Sequence, residues 1–423
     1  MNMKNKLRLY LQWNHTSFYI RSLYLRHVFS SKYYKMVSNC NYLKTDIVTK
    51  KDVSIKKNKE VKNILFTIHW FELGGAESYA LETIKKAYEL GYRCYIISTV
   101  PSENKEIDKF KKYSESIVDY TKIACNSEFK CFLYNYIKDN DIDVLHIHHS
   151  AITYHALPYI KTFFKELRVV DSTHIVEYEN GGFPQLSAWF SDYIDIHNVI
   201  SENLIKTINA IHRDEFDKNI SEDKFSLTYL SSMCDIPESI TPKSLDSNNE
   251  VIIGFYGRFV LQKQPFLFLD IMEKVFSKDV RNIKAIIFGD GEMKDFIINR
   301  INKSKYASRF EFIGRCDDKE KVFSKVDILV IPSINEGLTL TSYEAIANGV
   351  NVISSDVGAQ CELLISDNLI KLDSCFSDKC AERIFSIIDK DNYDNSFYGC
   401  LEKLRELQKF EFNKDTLNLM YKG

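Results

Sequence analysis

Long apolar runs are missing from this sequence, and so are the markers of several other protein classes. No stretch of the 423 residues approaches the roughly 18 consecutive apolar residues that a membrane-spanning helix needs. The basic N-terminus leads into Gln12, Asn14, His15 and Arg21 instead of an unbroken apolar core, so no secretory signal peptide is predicted. These absences favour a soluble chain, and its length favours two domains with additions over one.

Metal-binding cysteine pairs are also missing, although the chain has ten cysteines. They are scattered singly, and the downstream pair Cys375 and Cys380 lacks the Cys-x2-Cys spacing of a zinc site. We therefore expect reduced thiols, as in the cytoplasm, and no cysteine-bound metal.

The overall charge of −2 hides a strong asymmetry. Residues 1–62 hold fourteen Lys or Arg against three acidic residues, a net of +11, so the rest of the chain sums to −13. Aromatic and Leu side chains are interleaved with these basic residues, a mixture that suits an acidic membrane surface, where each basic residue contributes about 1 kcal/mol. A helical hairpin that packs its Leu and Tyr on the protein and solvates its Lys would give the same pattern, and the sequence leaves both open.

Short β-rich apolar runs alternate with helical segments from residue 61 onward, which is typical of a doubly wound parallel α/β sheet. A polar stretch interrupts the alternation, and a second series follows. Because ligands bind outside the carboxyl ends of such strands, we expect a cleft between two α/β domains. The predicted parts are a basic aromatic-rich extension (1–60), an N-terminal Rossmann-like domain (61–240), a linker (241–250), a C-terminal Rossmann-like domain (251–395) and a helical segment that braces the N-terminal domain (396–423).

Two carboxylates eight residues apart form the most informative motif. Glu336 follows a buried-strand pattern in a Gly-bearing turn, and Glu344 lies inside the next helix. The first amides of that helix lack intrahelical partners, and together with the helix dipole they attract hydroxyl or phosphate oxygens. A first-turn Glu that satisfies amides, followed by an ordinary helix Glu, is the structural alternative. The turn and the helix start comprise Gly337, Leu338, Thr339 and Leu340.

Two cations follow the first strand of the second domain. That strand ends at Gly257, and Arg258 and Lys263 lie in the loop before a helix that begins at Pro265. Arg offers bidentate recognition of oxygens and Lys a point charge, so the pair suits a diphosphate. Two solvated surface cations are the alternative.

Glycine turns end three further strands and allow a ligand close to the backbone, although any α/β fold uses such turns. In the first domain, Gly74 and Gly75 form a loop that could bind phosphate or sugar, and a simple helix start explains it equally well. The loop does not have the Gly-x-Gly-x-x-Gly pattern of dinucleotide-binding sites. The turns are Gly289 with Gly291, Gly314 before Arg315 and Cys316, and Gly74 with Gly75.

Histidines end two strands of the first domain. Alternation places His146 and His148 on one face, but a third ligand at metal spacing is missing. We therefore expect His148, His149 and His174 to be neutral hydrogen-bonding groups at the edge of the cleft. The carboxylates of residues 141–143 precede a strand and are interpreted as solvated turn residues.

Together these motifs resemble the retaining glycosyltransferases of family four, which have two facing Rossmann-like domains, the GT-B fold. The resemblance covers residues 61–421 and is strongest in the Glu-x7-Glu motif. It implies catalytic or positioning roles near the reaction centre for His174, Glu336, Arg258 and Lys263, and acceptor-side positions for His148, His149 and His174. The implied donor contacts are Gly74, Gly75, Gly257, Arg258, Lys263, Gly289, Gly291, Arg315, Cys316, Glu336, Gly337, Leu338, Thr339, Leu340 and Glu344.

Within that set, the resemblance implies that Glu336 contacts hydroxyls of the transferred sugar and Glu344 the ribose. Arg258 and Lys263 would hold the diphosphate, and Arg315-Cys316 the base. Such enzymes need no divalent metal, because cations and helix amides stabilise the leaving diphosphate.

The sequence departs from the family pattern at three places. Thr339 stands where the family often has Gly, and Asn351 replaces the usual Pro. The common Asn-Gly-Val-Asp before the linker is replaced by residues 230–235, whose consequence the sequence does not disclose. The first two departures concern the donor pocket, and they affect the identity of the donor more than activity.

The function that the resemblance implies is transfer of a hexose-type sugar from a nucleoside-diphosphate sugar, UDP- or GDP-linked, to a lipid-linked or cell-surface glycan acceptor. The expected location is the cytoplasm or the inner face of the membrane, with residues 1–60 on an anionic surface and without a nucleic-acid partner. An epimerase or phosphorylase of the same fold, and a non-catalytic partner subunit, are the alternatives.

Overall fold

Parallel strands that alternate with helices build this chain. The structure, a computed structural model, describes residues 48–49, 62–72, 74–175, 182–234, 236–245, 250–278, 282–316, 318–388, 390–410 and 412–422. The predicted extension over 1–60 therefore lies outside the described residues, apart from one short strand. Two compact units result, residues 1–169 with 177–186 (unit 1) and residues 170–176 with 187–423 (unit 2).

The strands are β1 (Val48–Thr49), β2 (Asn63–Ile68), β3 (Arg93–Ser98), β4 (Ser116–Asp119), β5 (Val144–His148), β6 (Arg168–Thr173), β7 (Ile196–Val199), β8 (Phe225–Leu227), β9 (Val251–Tyr256), β10 (Ile283–Phe288), β11 (Phe310–Gly314), β12 (Ile328–Ile331), β13 (Asn351–Ser355) and β14 (Leu369–Ile370). The helices are α1 (Gly75–Glu89), α2 (Ile107–Lys111), α3 (Phe129–Asp139), α4 (Ala151–Phe163), α5 (Gly182–Trp189), α6 (Glu202–Phe216), α7 (Pro265–Lys278), α8 (Lys294–Asn302), α9 (Lys319–Ser324), α10 (Leu340–Ala347), α11 (Gln360–Leu363), α12 (Phe376–Ile387), α13 (Lys390–Leu407) and α14 (Lys414–Tyr421).

Unit 1 contains four parallel strands in the order β4-β3-β2-β5, and β1 pairs with β4 in the antiparallel sense. β2 and β5 are buried along their whole length, which explains their continuous apolar character. The carboxylate of Asp143, just before β5, accepts a hydrogen bond of 2.8 Å from the amide of Asn63 at the start of β2. This residue of the Asp-x-Asp sequence therefore has a structural role.

Unit 2 contains β6 from residue 170 onward with the parallel strands β7 and β8, and a separate parallel sheet with the order β11-β10-β9-β12-β13-β14. In the six-stranded sheet the strand order reverses between β9 and β12. Such a switch point is where ligands bind in open α/β sheets. The loop after β9 contains Arg258 and Lys263, and the loop after β12 contains Glu336.

The core of the six-stranded sheet consists of aliphatic strand residues against α7 and α12, which pack on each other. Part of the predicted linker joins this core: Leu245 is buried in it, and the amide of Lys243 donates to the carbonyl of Gly349 over 3.1 Å. At the C-terminal end, α14 packs on β8, and the carbonyl of Phe410 accepts from the amide of Tyr229.

The predicted α/β class with two series of parallel strands is confirmed, and the predicted domain boundaries stay predictions. The sequence pattern predicts strands over 310–313 and 351–354, and the corresponding β11 and β13 each extend one residue further. The short strands β1, β4, β8 and β14 were not predicted: unlike the equally short β12, which is an unbroken apolar run, β4 and β8 contain polar residues, and β1 and β14 have only two residues each. None of the helices within the described ranges is long and apolar enough to cross a bilayer.

Candidate functional site

Glu336 is the buried carboxylate at the switch point of unit 2. Only 4% of the residue is exposed, and its Oε1 lies 2.5 Å from Nζ of Lys263. Two hydrogen bonds explain why the loops after β9 and β12 meet: the Gln262 side chain donates to the carbonyl of Asn335 (2.8 Å), and the amide of Ile334 donates to the carbonyl of Gln262 (2.9 Å). A buried carboxylate needs a partner such as Lys263, because the loss of its hydration is otherwise costly.

The backbone of Glu336 and Gly337 is enclosed by two other segments of unit 2. Gly337 forms a β-bridge with Ile175, and a Cβ on Gly337 would lie 2.1 Å from the carbonyl oxygen of His174. On the other side Gly358 has a φ of +60°, and a Cβ there would lie 1.9 Å from the carbonyl oxygen of Glu336. Both glycines are therefore required by close backbone contact.

Thr339 is the N-cap of α10. Its hydroxyl accepts from the amide of Ser342 (3.3 Å) and lies 2.6 Å from the hydroxyl of that residue. The side chain of Gln360 also donates to it, over 3.3 Å. The departure from the family's Gly at this position thus has a local reason: the hydroxyl satisfies a first-turn amide of the helix.

A small pocket opens between β9, β12 and the start of α10. The hydroxyl oxygen of Ser333 is buried in its wall and has no hydrogen-bond partner within the described part of the chain. Together with Lys263, this hydroxyl makes the pocket suitable for an oxygen-rich anion. The lining residues are Phe255, Tyr256, Lys263, Val330, Ile331, Pro332, Ser333, Thr339 and Thr341.

Glu344 pairs with a second lysine. Its Oε1 lies 2.5 Å from Nζ of Lys319, and its Oε2 is buried without a hydrogen-bond partner among the residues that the structure describes. Lys319 also lies over the ring of Tyr256, 5.5 Å from the centroid. The Tyr256 hydroxyl donates to the carbonyl of Cys316 at 3.5 Å. Each carboxylate of the Glu-x7-Glu motif is thus paired with a lysine from another element, Lys263 in the loop after β9 and Lys319 at the start of α9.

The predicted glycine turns of the six-stranded sheet lie against one another. The amide of Gly289 donates to the carbonyl of Gly314 (2.8 Å), and the amide of Gly257 donates to the carbonyl of Phe288 (3.2 Å). A Cβ on Gly291 would lie 2.8 Å from the carbonyl oxygen of Phe259. Backbone, not side chain, therefore forms this part of the sheet edge.

Arg258 and Arg315 are exposed at the same edge. Arg258 has no acidic partner within 4 Å among the described residues, so its guanidinium is available to a ligand.

Asn351 starts β13 and replaces the usual Pro of the family. Its amide donates to the carbonyl of Asp327 (3.1 Å), which Pro cannot do, and its side chain donates to the carbonyl of Tyr393 (2.9 Å). The third departure, residues 230–235, contains a 3-10 turn at Leu230–Met233 that packs against α10.

His174 follows β6 and is 7% exposed, with its carbonyl against Gly337. The strand before it is fixed by a buried network in which the carboxylate of Asp171 lies 3.0 Å from Nδ1 of His197. The hydroxyls of Ser187 and Ser191 contact the two ring nitrogens of that histidine at 2.8 and 2.9 Å. All four network side chains are buried and belong to the core.

Unit 1 contains the remaining predicted residues. Gly74 is the N-cap of α1, and a Cβ on Gly75 would meet no atom within 4 Å. Burial, followed by the nearby His146 and His149, lowers the pKa of His148 well below its usual value, so the ring is neutral. His149 stacks on Phe183 with 4.2 Å between ring centroids. No group of three metal-ligating side chains occurs in the described ranges.

The structure thus brings Lys263, Glu336, Gly337 and His174 together in unit 2, and pairs Glu344 with Lys319. Lys319 and Ser333 were missed from sequence. A lysine five residues after Gly314 and a serine in a strand-end loop are too common to stand out, and the partner of Lys319 lies in another helix. The functional roles of all these residues stay predictions.

Comparison with known proteins gives consistent results. Residues 238–398 match the family model described as glycosyl transferases group 1. An uncharacterised glycosyltransferase of Methanocaldococcus jannaschii, MJ1607, is 29% identical over 167 residues, 38% of this chain and 39% of the relative. The O-antigen biosynthesis glycosyltransferase WclY of Escherichia coli is 33% identical over 95 residues, 22% of this chain and 27% of the relative. The chain therefore spans well under two thirds of these relatives.

Among solved structures, HepE of Anabaena in complex with UDP superimposes with a TM-score of 0.64 at 13% identity, covering 85% of this chain and 98% of that one. This likeness confirms the predicted GT-B fold class.

Substitution of Gly337 in unit 2 and of Gly75 in unit 1 should change the free energy of unfolding in different ways. Gly337→Ala places a methyl group against the carbonyl of His174 and should lower the free energy of unfolding by about 1–3 kcal/mol. Gly75→Ala, in open space at the first residue of α1, should be neutral or stabilise by up to about 1 kcal/mol. Urea unfolding measures both, and equal stability of the two variants would contradict the tight contact.

The lowered pKa of His148 should make stability depend on pH. The folded protein keeps this ring neutral, while the unfolded chain binds a proton below about pH 6.5. Its contribution to stability is therefore full above pH 6.5 and falls as the pH drops toward the folded pKa. In His148→Gln, the free energy of unfolding should fall less steeply between pH 6.5 and 5, by up to about 1.4 kcal/mol per pH unit. Parallel curves for the variant and the unsubstituted protein would refute this.

Proposed function

We propose that the protein is a retaining glycosyltransferase, on the premise that residues 238–398 match the family model described as glycosyl transferases group 1. It moves a hexose-type sugar from a UDP- or GDP-sugar to a lipid-linked or cell-surface glycan acceptor. The observation that carries the proposal is the buried Glu336–Lys263 pair beside the pocket at the start of α10.

The cations of unit 2 bind the diphosphate in this proposal. Arg258 is exposed without an acidic partner in the described part of the chain, and Lys263 lines the pocket. As the bond between sugar and phosphate breaks, negative charge grows on the leaving diphosphate. Fixed positive charges and the amide end of α10 stabilise that charge without needing a divalent ion.

The two carboxylates hold the sugar and the ribose. Glu336 accepts hydrogen bonds from hydroxyls of the transferred sugar, and Lys263, held beside it, bridges between that sugar and the phosphate. The buried Oε2 of Glu344 lacks a hydrogen-bond partner among the described residues, and it accepts a ribose hydroxyl. Retention follows from front-face attack, in which the leaving phosphate helps to deprotonate the acceptor and Glu336 positions the sugar. His174 lies near the acceptor.

The acceptor class rests on the relatives. WclY is an O-antigen biosynthesis glycosyltransferase, and HepE binds UDP in its solved structure. These names support a role for this chain in the synthesis of a cell-surface polysaccharide from a nucleotide sugar. An epimerase would act on the donor alone, and a phosphorylase would require inorganic phosphate.

Nucleotide release from a panel of UDP-, GDP- and ADP-sugars, with and without a glycan acceptor, tests the proposal. Glu336→Ala and Arg258→Ala should each lower kcat/KM by about 100-fold. Lys274→Ala is the control for Arg258→Ala: it removes one positive charge from a surface lysine that pairs with Asp378. It should leave kcat/KM unchanged. The proposal would be wrong if the protein bound no donor and all three variants released nucleotide at the same rate as the unsubstituted protein. Donor binding without turnover would indicate a non-catalytic subunit.

The basic residues 1–60 attach the protein to the inner face of an anionic membrane in this proposal. Each Lys or Arg near such a surface contributes about 1 kcal/mol, and the effect is screened by salt. Flotation with liposomes that contain anionic lipid should recover the full chain and not a chain that starts at Lys59. Neutral liposomes are the control. Equal recovery of both chains would refute a role of this segment.

A further inference from the structure

A carboxylate outside the Glu-x7-Glu motif connects two distant parts of unit 2. Glu362, in α11, accepts from the amide of Glu202 through Oε2 (3.0 Å) and from the amide of Asn203 through Oε1 (2.8 Å). These are the first two amides of α6, a helix of 15 residues. The hydroxyl of Ser201 accepts from the next amide, Leu204 (3.2 Å). The first turn of α6 is therefore satisfied by Glu362 and Ser201 together.

Tyr229 completes this carboxylate's environment. Its hydroxyl donates to Oε2 of Glu362 over 2.7 Å. Burial, and then the hydrogen bond with Glu362, raises the pKa of Tyr229, so the phenol keeps its proton. Glu362 thus accepts three hydrogen bonds from groups more than 130 residues away in sequence.

The same helix start holds the glycine that encloses Glu336. The side chain of Asn203 donates to the carbonyl of Gly358 over 2.6 Å. Gly358 lies against the carbonyl of Glu336, and the amide of Ala359 donates to the carbonyl of Gly337 (3.3 Å). A continuous path of contacts therefore runs from α6 to the backbone of the Glu-x7-Glu motif.

We propose that Glu362, Tyr229 and Asn203 are positioning residues that hold residues 356–359 against Glu336 and Gly337, and so set the affinity of the site for the sugar of the donor. The part about the donor rests on the function proposed above. None of the three touches the pocket at the start of α10. They act on the site through the backbone contacts of residues 356–359 with Glu336 and Gly337. Their loss should therefore change amide exchange in the motif as well as the Kd of the donor, whereas loss of a residue that binds the ligand should change only the Kd.

Donor binding and hydrogen exchange test this together. The variants are Glu362→Ala, Asn203→Ala and Tyr229→Phe, and the matched control is Glu202→Ala. The Glu202 side chain is exposed and pairs with Lys206 at 3.7 Å, so its removal leaves the amide bonded to Glu362. The probes are UDP-glucose, UDP-N-acetylglucosamine, ADP-glucose, GDP-mannose and the free nucleoside diphosphates.

Glu362→Ala and Asn203→Ala should raise the Kd of the bound sugar nucleotide about tenfold, because a lost hydrogen bond to a charged group or a buried carbonyl has about that effect. The Kd of the free nucleoside diphosphate should change much less. Amide exchange should accelerate in residues 336–345, which form no hydrogen bond with Glu362, and should stay unchanged in β2 and β5. Glu202→Ala should match the unsubstituted protein, and Tyr229→Phe should lie between.

The outcomes separate the two proposals. Faster exchange in residues 336–345 of the variants, in a protein that binds none of the probes, would support the positioning role and overturn the proposed function. Unchanged exchange and unchanged Kd in Glu362→Ala and Asn203→Ala, in a protein that binds a donor, would overturn the positioning role. If Glu362→Ala does not fold, Asn203→Ala alone decides, since it removes the contact with Gly358 and a hydrogen bond from Thr207 within α6, and leaves the amide of residue 203 bonded to Glu362.

Discussion

The close backbone contact around Glu336 and Gly337 is the constraint on which the rest of the site in unit 2 depends. A carboxylate on a loop has rotational and backbone freedom that binding must remove. Here the carbonyl of His174 lies on one side and Gly358 on the other, with no room for a Cβ on either glycine. The loop is thereby ordered before any ligand arrives, and a site of this kind binds without first losing that freedom.

The charges of the site follow from its burial. Glu336 is almost fully buried and would be unstable as an isolated ion, so its position requires Lys263. The half-buried Glu344 is paired with Lys319 in the same way. Each lysine reaches the carboxylate from a different element. The loop after β9 is therefore coupled electrostatically to the loop after β12, and the start of α9 to α10, in addition to the backbone hydrogen bonds among the turns.

Sequence patterns revealed the parts of the fold and site that rest on local order. The buried strand Ile328–Ile331, the glycine turns and the Glu-x7-Glu spacing all lie within one or two elements, and the structure contains them. The long-range pairs were not predictable. Nothing near Glu362 in the sequence points to Asn203 or Tyr229, because hydrogen bonds between residues 130–160 positions apart leave no periodic signal. At the two departures from the family pattern, Thr339 makes a local hydrogen bond within the first turn of α10, and Asn351 makes one to Tyr393, 42 residues away.

The paired carboxylates and the exposed guanidinium of Arg258 also affect how a ligand first reaches the site. With Glu336 and Glu344 each paired with a lysine, the exposed Arg258 adds positive charge at the carboxyl edge of β9. An approaching dianion therefore meets attraction instead of repulsion, although unit 2 contains both acidic motif residues. Such steering raises the rate of diffusional encounter and weakens as ionic strength shortens the Debye length. Arg258 thus contributes to the speed of encounter as well as to the binding of the diphosphate in the proposed function.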